Sequence, residues 1–185
     1  MDLILGSSSP RRKRLLEEEG LDFEVVVPDI DEEKYNYGET PERVKRIARK
    51  KMEAVLEELN KEEAVVLTAD TMVEFRGEVL GKPESKEKAF GLLKDIFGNS
   101  CEVYTGYCIY RNDQVTCDVE STEIKFREAS EEEVSEYVES EPVENMAGGF
   151  NVNEGKPGER FVKDMDGYRS TVVGLPMEVI VPLLE

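Results

Sequence analysis

Three features of this chain carry usable chemistry: a serine turn running into four consecutive cations, a lysine inside an apolar helical stripe, and an aspartate after an apolar run. The turn is Ser7-Ser8-Ser9-Pro10-Arg11-Arg12-Lys13-Arg14. Ser9 suits an N-cap and Pro10 a first helical position. The four cations then fill a first turn where the helix dipole favours anions, and Glu17, Glu18 and Glu19 fill a last turn that favours cations. A helix that breaks the charge rule at both ends invites a functional reading. Free backbone N–H groups, hydroxyls and guanidinium forks together suit a phosphate. A solvated basic turn is the competing reading, and the strand–turn–helix context leaves the two even.

Asp70 follows Ala64-Val65-Val66-Leu67-Thr68-Ala69, a run that suits a central strand. A carboxylate at such a strand end is either a general base or metal ligand, or an aspartate satisfied by backbone donors. Lys51 falls among Val44, Ile47, Ala48, Met52, Val55, Leu56 and Leu59. It either snorkels to water or faces a cleft as a phosphate ligand. Gly81-Lys82-Pro83 sets another cation within a hairpin's length of Asp70. The acidic run Asp29-Ile30-Asp31-Glu32-Glu33-Lys34 reads as solvated surface, unless it lies beside the basic turn, where a carboxylate would hold a metal.

Composition narrows the chemistry. There is no histidine, so a base must be a carboxylate, lysine, tyrosine or cysteine. A metal site would be oxygen-rich and would favour Mg²⁺ or Mn²⁺ over zinc. With 42 acidic against 24 basic residues and a net charge of −18, binding to a nucleic-acid polymer across a broad face is excluded. An anionic ligand must instead be met by locally gathered cations. Cys101, Cys108 and Cys117 lack CxxC spacing and read as reduced core thiols of a cytoplasmic protein. No signal peptide and no membrane-spanning apolar run is evident.

The elements that must position these groups alternate between strand and helix. Strands are expected at residues 3–5, 23–27, 64–69, 103–110 and 115–126, with a short one at Phe161-Val162. Helices are expected after Ser9, from Thr40 to Leu59, from the Ser85 cap to Phe97, from the Ser130–Glu133 capping box to Val138, and finally to Leu184. Arg111-Asn112-Asp113-Gln114 joins a hairpin, and a change of phase near Ser121 suggests a bulge. Residues 145–158, rich in glycine and asparagine, form a loop. The fold class is α/β with a mixed twisted sheet and flanking helices, in one domain spanning residues 1–185.

The ordered set Ser7-Ser8-Ser9-Pro10-Arg11-Arg12, Asp31-Glu32, Ala69-Asp70-Thr71, Gly81-Lys82-Pro83, Tyr104-Thr105-Gly106, Ala147-Gly148 and Val172-Val173-Gly174-Leu175-Pro176 resembles the Maf family of nucleoside triphosphate pyrophosphatases. The resemblance covers nearly the whole chain. It implies an elongated, two-lobed fold related to the inosine-triphosphatase group, with a central cleft. It implies hydrolysis of a nucleoside triphosphate to monophosphate and pyrophosphate with a divalent cation, Mg²⁺ or Mn²⁺. By the same resemblance Asp70 is the catalytic carboxylate, acting with Glu32 at the metal. Arg11, Arg12, Lys51 and Lys82 are phosphate-side cations, assisted by Ser7 and Ser9. A homodimer is what the family suggests, and a non-catalytic regulator of septum formation is the competing class.

Three positions bear on the base. One family branch, acting on dTTP and UTP, carries Arg, Thr and Gln there; another, acting on 7-methyl-GTP, carries a bulky residue, Gln and Glu. This chain has Arg11, Thr71 and Glu154, and residues 151–158 depart from the family's Gly-Ile-Gln-Gly pattern. Glu154 accepts from a base N–H, which suits a guanine edge. Arg11 and Thr71 lean toward a pyrimidine or modified nucleotide.

Overall fold

A computed structural model describes residues 2–59 and 64–184. The elements in order are β1 (Asp2–Gly6), α1 (Pro10–Glu18), β2 (Phe23–Val25), α2 (Thr40–Glu58), β3 (Ala64–Phe75), β4 (Glu78–Leu80), α3 (Lys86–Ile96), β5 (Ser100–Arg111), β6 (Gln114–Phe126), α4 (Glu131–Ser140), β7 (Val162–Asp166), α5 (Arg169–Val173) and α6 (Met177–Leu184). The sheet order is β2-β1-β3-β5-β6-β7, with β4 paired to β3. β1 runs parallel to β2 and β3, whereas β3–β4 and β6–β7 are antiparallel. The expected mixed α/β sheet is therefore present.

The chain divides into two compact units, Met1–Thr71 with Tyr104–Glu120 and Ser170–Glu185, and Met72–Val103 with Ser121–Arg169. In the first unit, strand alternation sorts side chains onto two faces. Leu3, Leu5, Val65, Leu67, Ala69, Tyr107 and Ile109 form one core with Leu15 and Leu16 of α1 and with Val173, Leu175, Met177 and Ile180 near the C-terminus. Ile4, Val66 and Cys108 point the other way and pack with Ala48, Met52 and Val55 of α2. So α1 covers one face and α2 the other. The strand order reverses at β1, and in such sheets the region beyond the strand's carboxyl end is the ligand crevice.

The stripe read from the sequence is the buried face of α2, with Val44, Ile47, Ala48, Lys51, Met52 and Val55 all buried. This helix lies close because β5 offers it a glycine. A Cβ on Gly106 would fall 2.4 Å from Val44 C and 2.5 Å from Lys45 N. Those are backbone atoms, so the helix itself would have to move. Gly106→Ala is expected to cost about 1–3 kcal/mol by overpacking, read as a lowered Tm in thermal denaturation.

In the second unit the core is aromatic. Phe97 stacks on Phe161 at 4.2 Å between centroids, and Phe126 and Tyr137 close around them. The Ser130–Glu133 capping box forms as expected, and Ser85 accepts from the Lys88 N–H. The burial alternation of β6 changes phase between Val119 and Thr122, although the register shift against β7 falls at Lys125 and Phe126. The short strand expected at Phe161-Val162 is displaced to β7, because Phe161 ends a 3-10 turn that buries its ring.

The cysteine reading is corrected. Asn112 and Asp113 both take positive φ, 51° and 60°, giving a two-residue hairpin turn. With Arg111 opposite Gln114, that turn sets Cys108 opposite Cys117, their Cα atoms are 4.1 Å apart, and they form a disulfide. Cys101 stays a buried thiol, its pKa pushed up to about 12 by burial and then by Glu102 and Glu123. Thiol titration of unreduced, denatured protein is expected to count one reactive sulfhydryl; a count of three would contradict the cross-strand bond. Among the described residues no helix is long and apolar enough to cross a membrane.

Candidate active site

Asp70 and Thr71 are neighbours in the interior of β3 rather than at a strand end. Strand alternation therefore sends them to opposite faces, and each meets a different helix.

On the α2 face, Asp70 follows Thr68, whose hydroxyl donates to Ala48 O at 2.7 Å. Lys51 lies one helical turn beyond Ala48, so the next rung joins Lys51 to Asp70. Lys51 Nζ sits 2.8 Å from Asp70 Oδ1 and 2.8 Å from Glu32 Oε1. The Lys51 and Asp70 side chains are each 10% exposed, whereas Glu32 is 52% exposed at the start of a 3-10 turn, Glu32–Tyr35. The stripe lysine thus has two carboxylate partners. Part of the acidic segment folds back onto the helix instead of staying a solvated loop.

On the α1 face, Arg12 is buried and pinned from three sides. Its Nε donates to Gly174 O at 2.9 Å, one terminal nitrogen to Ser7 Oγ at 3.2 Å, and the other to Thr71 Oγ1 at 3.1 Å. Burial is the largest influence on this guanidinium and pulls its pKa below the usual arginine value; Asp70 and Glu32 oppose the shift, and Arg11 adds to it. Three N–H groups are spent on the protein. Among the described residues the fork keeps two for a ligand.

The two sets meet at the carboxyl end of β1. Gly6, Ser7, Ser8, Ser9, Arg12, Val27, Pro28, Glu32 and Lys51 line one hollow of about 160 Å³. Ser9 and Pro10 occupy the expected N-cap and N1 positions, but the Ser9 hydroxyl makes no cap bond. Instead the Ser9 N–H donates to Ser7 Oγ at 3.2 Å. The first turn of α1 is thus left without a side-chain cap where the hollow opens. The volume lies below the about 300–1,000 Å³ typical of a whole small-molecule site, so it suits a phosphate portion rather than an entire nucleotide.

Of the residues singled out from sequence, Ser7, Ser9, Arg12, Glu32, Lys51, Asp70 and Thr71 belong to this constellation. Arg11 is exposed on α1 beside it. Lys82 and Glu154 are exposed residues of the second unit. There the Lys82 loop is held by the Gly148 N–H donating to Gly81 O at 3.0 Å. Sequence reasoning gave no role to the Gly174 carbonyl or to the hydroxyl of Thr105, which lies 2.9 Å from Thr71 Oγ1. The available signal was a lone threonine beside a glycine in the apolar stretch of β5.

The oxygen donors here decide how a divalent cation would be held. Among the described residues no group of three or more His, Cys, Asp or Glu is placed to hold one. Glu32 and Asp70 do converge on a single point, now filled by the Lys51 ammonium. Mg²⁺ typically takes one or two protein carboxylates and completes its shell with phosphate oxygens and water. The pair therefore fits such an ion, with water or phosphate oxygens completing its shell.

A family profile described as "Maf-like protein" matches residues 2–185. A dTTP/UTP pyrophosphatase of Bacillus anthracis is 39% identical over 179 residues, covering 97% of this chain and 92% of the relative. A dTTP/UTP pyrophosphatase of Thermotoga petrophila is 38% identical over 181 residues, covering 97% and 86%. The solved Ham1 protein of Staphylococcus aureus aligns over 70% of this chain and 73% of its own, at a TM-score of 0.49 and 17% identity. The full-length profile match and relatives above one-third identity carry one conclusion: this chain is a member of the Maf family.

Proposed function

We propose that this protein hydrolyses a nucleoside triphosphate to the monophosphate and pyrophosphate, with a pyrimidine triphosphate such as dTTP or UTP as the preferred substrate. The observation that carries the proposal is the Lys51 ammonium shared by Asp70 and Glu32, in the same hollow as the pinned Arg12 and the uncapped first turn of α1. The names of the 38–39% identical relatives support the substrate class.

The chain's groups divide the work. The first-turn N–H groups of α1 and the serine turn cradle phosphate oxygens. Arg12 offers its two unspent N–H groups from a fixed position, so little orientational freedom is lost on binding. Asp70 accepts Lys51 through one oxygen and orients a water with the carboxylate, taking its proton as that water attacks the α-phosphorus. Pyrophosphate leaves, and cations near the leaving oxygens stabilise the developing charge.

Charge balance argues for a metal. Arg12 and Lys51 are matched by Glu32 and Asp70, so the hollow itself supplies no net positive charge to a polyanion. Glu32 and Asp70 would hold Mg²⁺ or Mn²⁺, which would supply the missing charge and polarise the scissile phosphate. Lys51 competes for the same oxygens. Lys51→Met is expected to tighten Mn²⁺ binding to nucleotide-free protein by about tenfold or more through loss of like-charge repulsion, read by calorimetry, while turnover falls. An unchanged affinity would speak against the carboxylate pair as the metal site.

Product identification over a panel of triphosphates, including 7-methyl-GTP, tests the activity. Monophosphate plus pyrophosphate from dTTP or UTP is the expected result. Diphosphate plus orthophosphate would point to another phosphohydrolase. Tight binding without products would favour a nucleotide-responsive regulator. Preference for the methylated guanine nucleotide would overturn the pyrimidine assignment.

A further inference from the structure

Arg12 is held by more than its own contacts. Thr105, fully buried on β5, donates its hydroxyl proton to Thr171 O at 2.7 Å. That proton is spent, so in the 2.9 Å contact between Thr71 and Thr105 the donor must be Thr71. Thr71 in turn accepts from Arg12. The chain of bonds has one direction: guanidinium to Thr71, Thr71 to Thr105, Thr105 to the carbonyl of Thr171. The Thr171 hydroxyl takes no part, being buried without a partner among the described residues. Both ends of the relay anchor on α5 and the turn after it, because the Arg12 Nε–H also donates to Gly174 O.

We propose that Thr105 is a positioning residue for phosphate binding: by fixing the direction of this relay it locks the Arg12 fork with two N–H groups facing the hollow. A consequence concerns Thr71. Its proton is committed to Thr105, so it has none to donate to a nucleobase, and the preference associated with that position acts through Arg12 rather than through a hydroxyl donated to the base. The kinetic arm of the inference rests on the proposed pyrophosphatase activity; the direction of the relay does not.

The test compares Thr105→Val, nearly the same shape without a hydroxyl, with Thr105→Ser, which keeps the hydroxyl and loses the methyl. Positioning predicts that T105S keeps KM for dTTP within about threefold, whereas T105V raises KM by about tenfold or more with a smaller change in kcat. It also predicts that the resonance of the Arg12 Nη–H that donates to Thr71, slow to exchange in the wild type and in T105S, exchanges fast in T105V. If T105V does not fold, Thr105→Ala carries the same expectation. Packing alone predicts the reverse order, with T105V near wild type and T105S impaired, and that order would overturn the proposal. So would an Arg12 resonance equally protected in all variants. A wild-type protein that releases no pyrophosphate would refute the activity, while the resonance still decides the role of Thr105.

Discussion

Asp70→Asn is expected to lower kcat for pyrophosphate release by about 10²–10⁴, the usual contribution of a positioned general base, while the triphosphate still binds. The substitution keeps the shape and an acceptor oxygen for Lys51, and Glu32 remains as the ammonium's second partner at 2.8 Å. The buried lysine is therefore not stranded. The stability cost should stay near about 1–3 kcal/mol, below the loss expected when a buried pair is broken outright. What the amide lacks is the basicity to accept a proton from water. Single-turnover kinetics with labelled dTTP separate the steps. Unchanged binding with a collapsed chemical step is the predicted pattern, and retained turnover would remove Asp70 from the mechanism.

Arg12→Lys is the second large effect, and it falls on stability as well as on catalysis. Lysine keeps the charge but offers its donors from a single atom. It cannot reach Gly174 O, Ser7 Oγ and Thr71 Oγ1 together, since each is met by a different guanidinium nitrogen. The buried carbonyl and the threonine relay then lose a partner, a cost of roughly 2–4 kcal/mol, equivalent to a fall of about 5–15 °C in Tm for a chain of this size. KM for the triphosphate should rise with it. If Arg12→Lys matched the wild type in Tm and KM, Arg12 would be an ordinary surface cation, which its burial and three bonds contradict.

The sequence carried much of this, unevenly. The wrong-sign first turn of α1 pointed to an anion, and the stripe lysine pointed to a partner, because each breaks a physical rule in a way visible without coordinates. The partner's identity was not visible. Lys51 meets Asp70 and Glu32 only because α2 lies against β3 at the Thr68–Ala48 bond and the acidic segment folds over it, and that is tertiary geometry. The continuity of β3 through Asp70 was masked by the polar pair Asp70-Thr71, which breaks an otherwise apolar run. Strand parity puts Asp70 on the same face as Val66 and Thr68, but which helix covers that face is tertiary geometry.

Two other outcomes were within reach. Once Asn112-Asp113 is read as a two-residue turn, counting back along both strands pairs Cys108 with Cys117. The absence of CxxC spacing, by contrast, says nothing about a cross-strand bond. Thr105 lies in the stretch Tyr104-Thr105-Gly106, where the glycine admits α2 and the threonine ties β3 to α5. Neither role follows from residue type alone, because both depend on which strand lies alongside. For Lys82 and Glu154, both in the second unit, the sequence supplied candidates from motif position, and their roles belong to the substrate experiments above.

The most direct measurement is turnover of dTTP in ¹⁸O-labelled water with Mg²⁺ or Mn²⁺, followed by mass analysis of both products. Attack on the α-phosphorus by a water held on Asp70 predicts label in the monophosphate, none in the pyrophosphate, and both products formed about 10²–10⁴ more slowly by the Asp70→Asn protein. Label in the pyrophosphate or in orthophosphate, or labelled monophosphate formed at the normal rate by Asp70→Asn, would contradict the account.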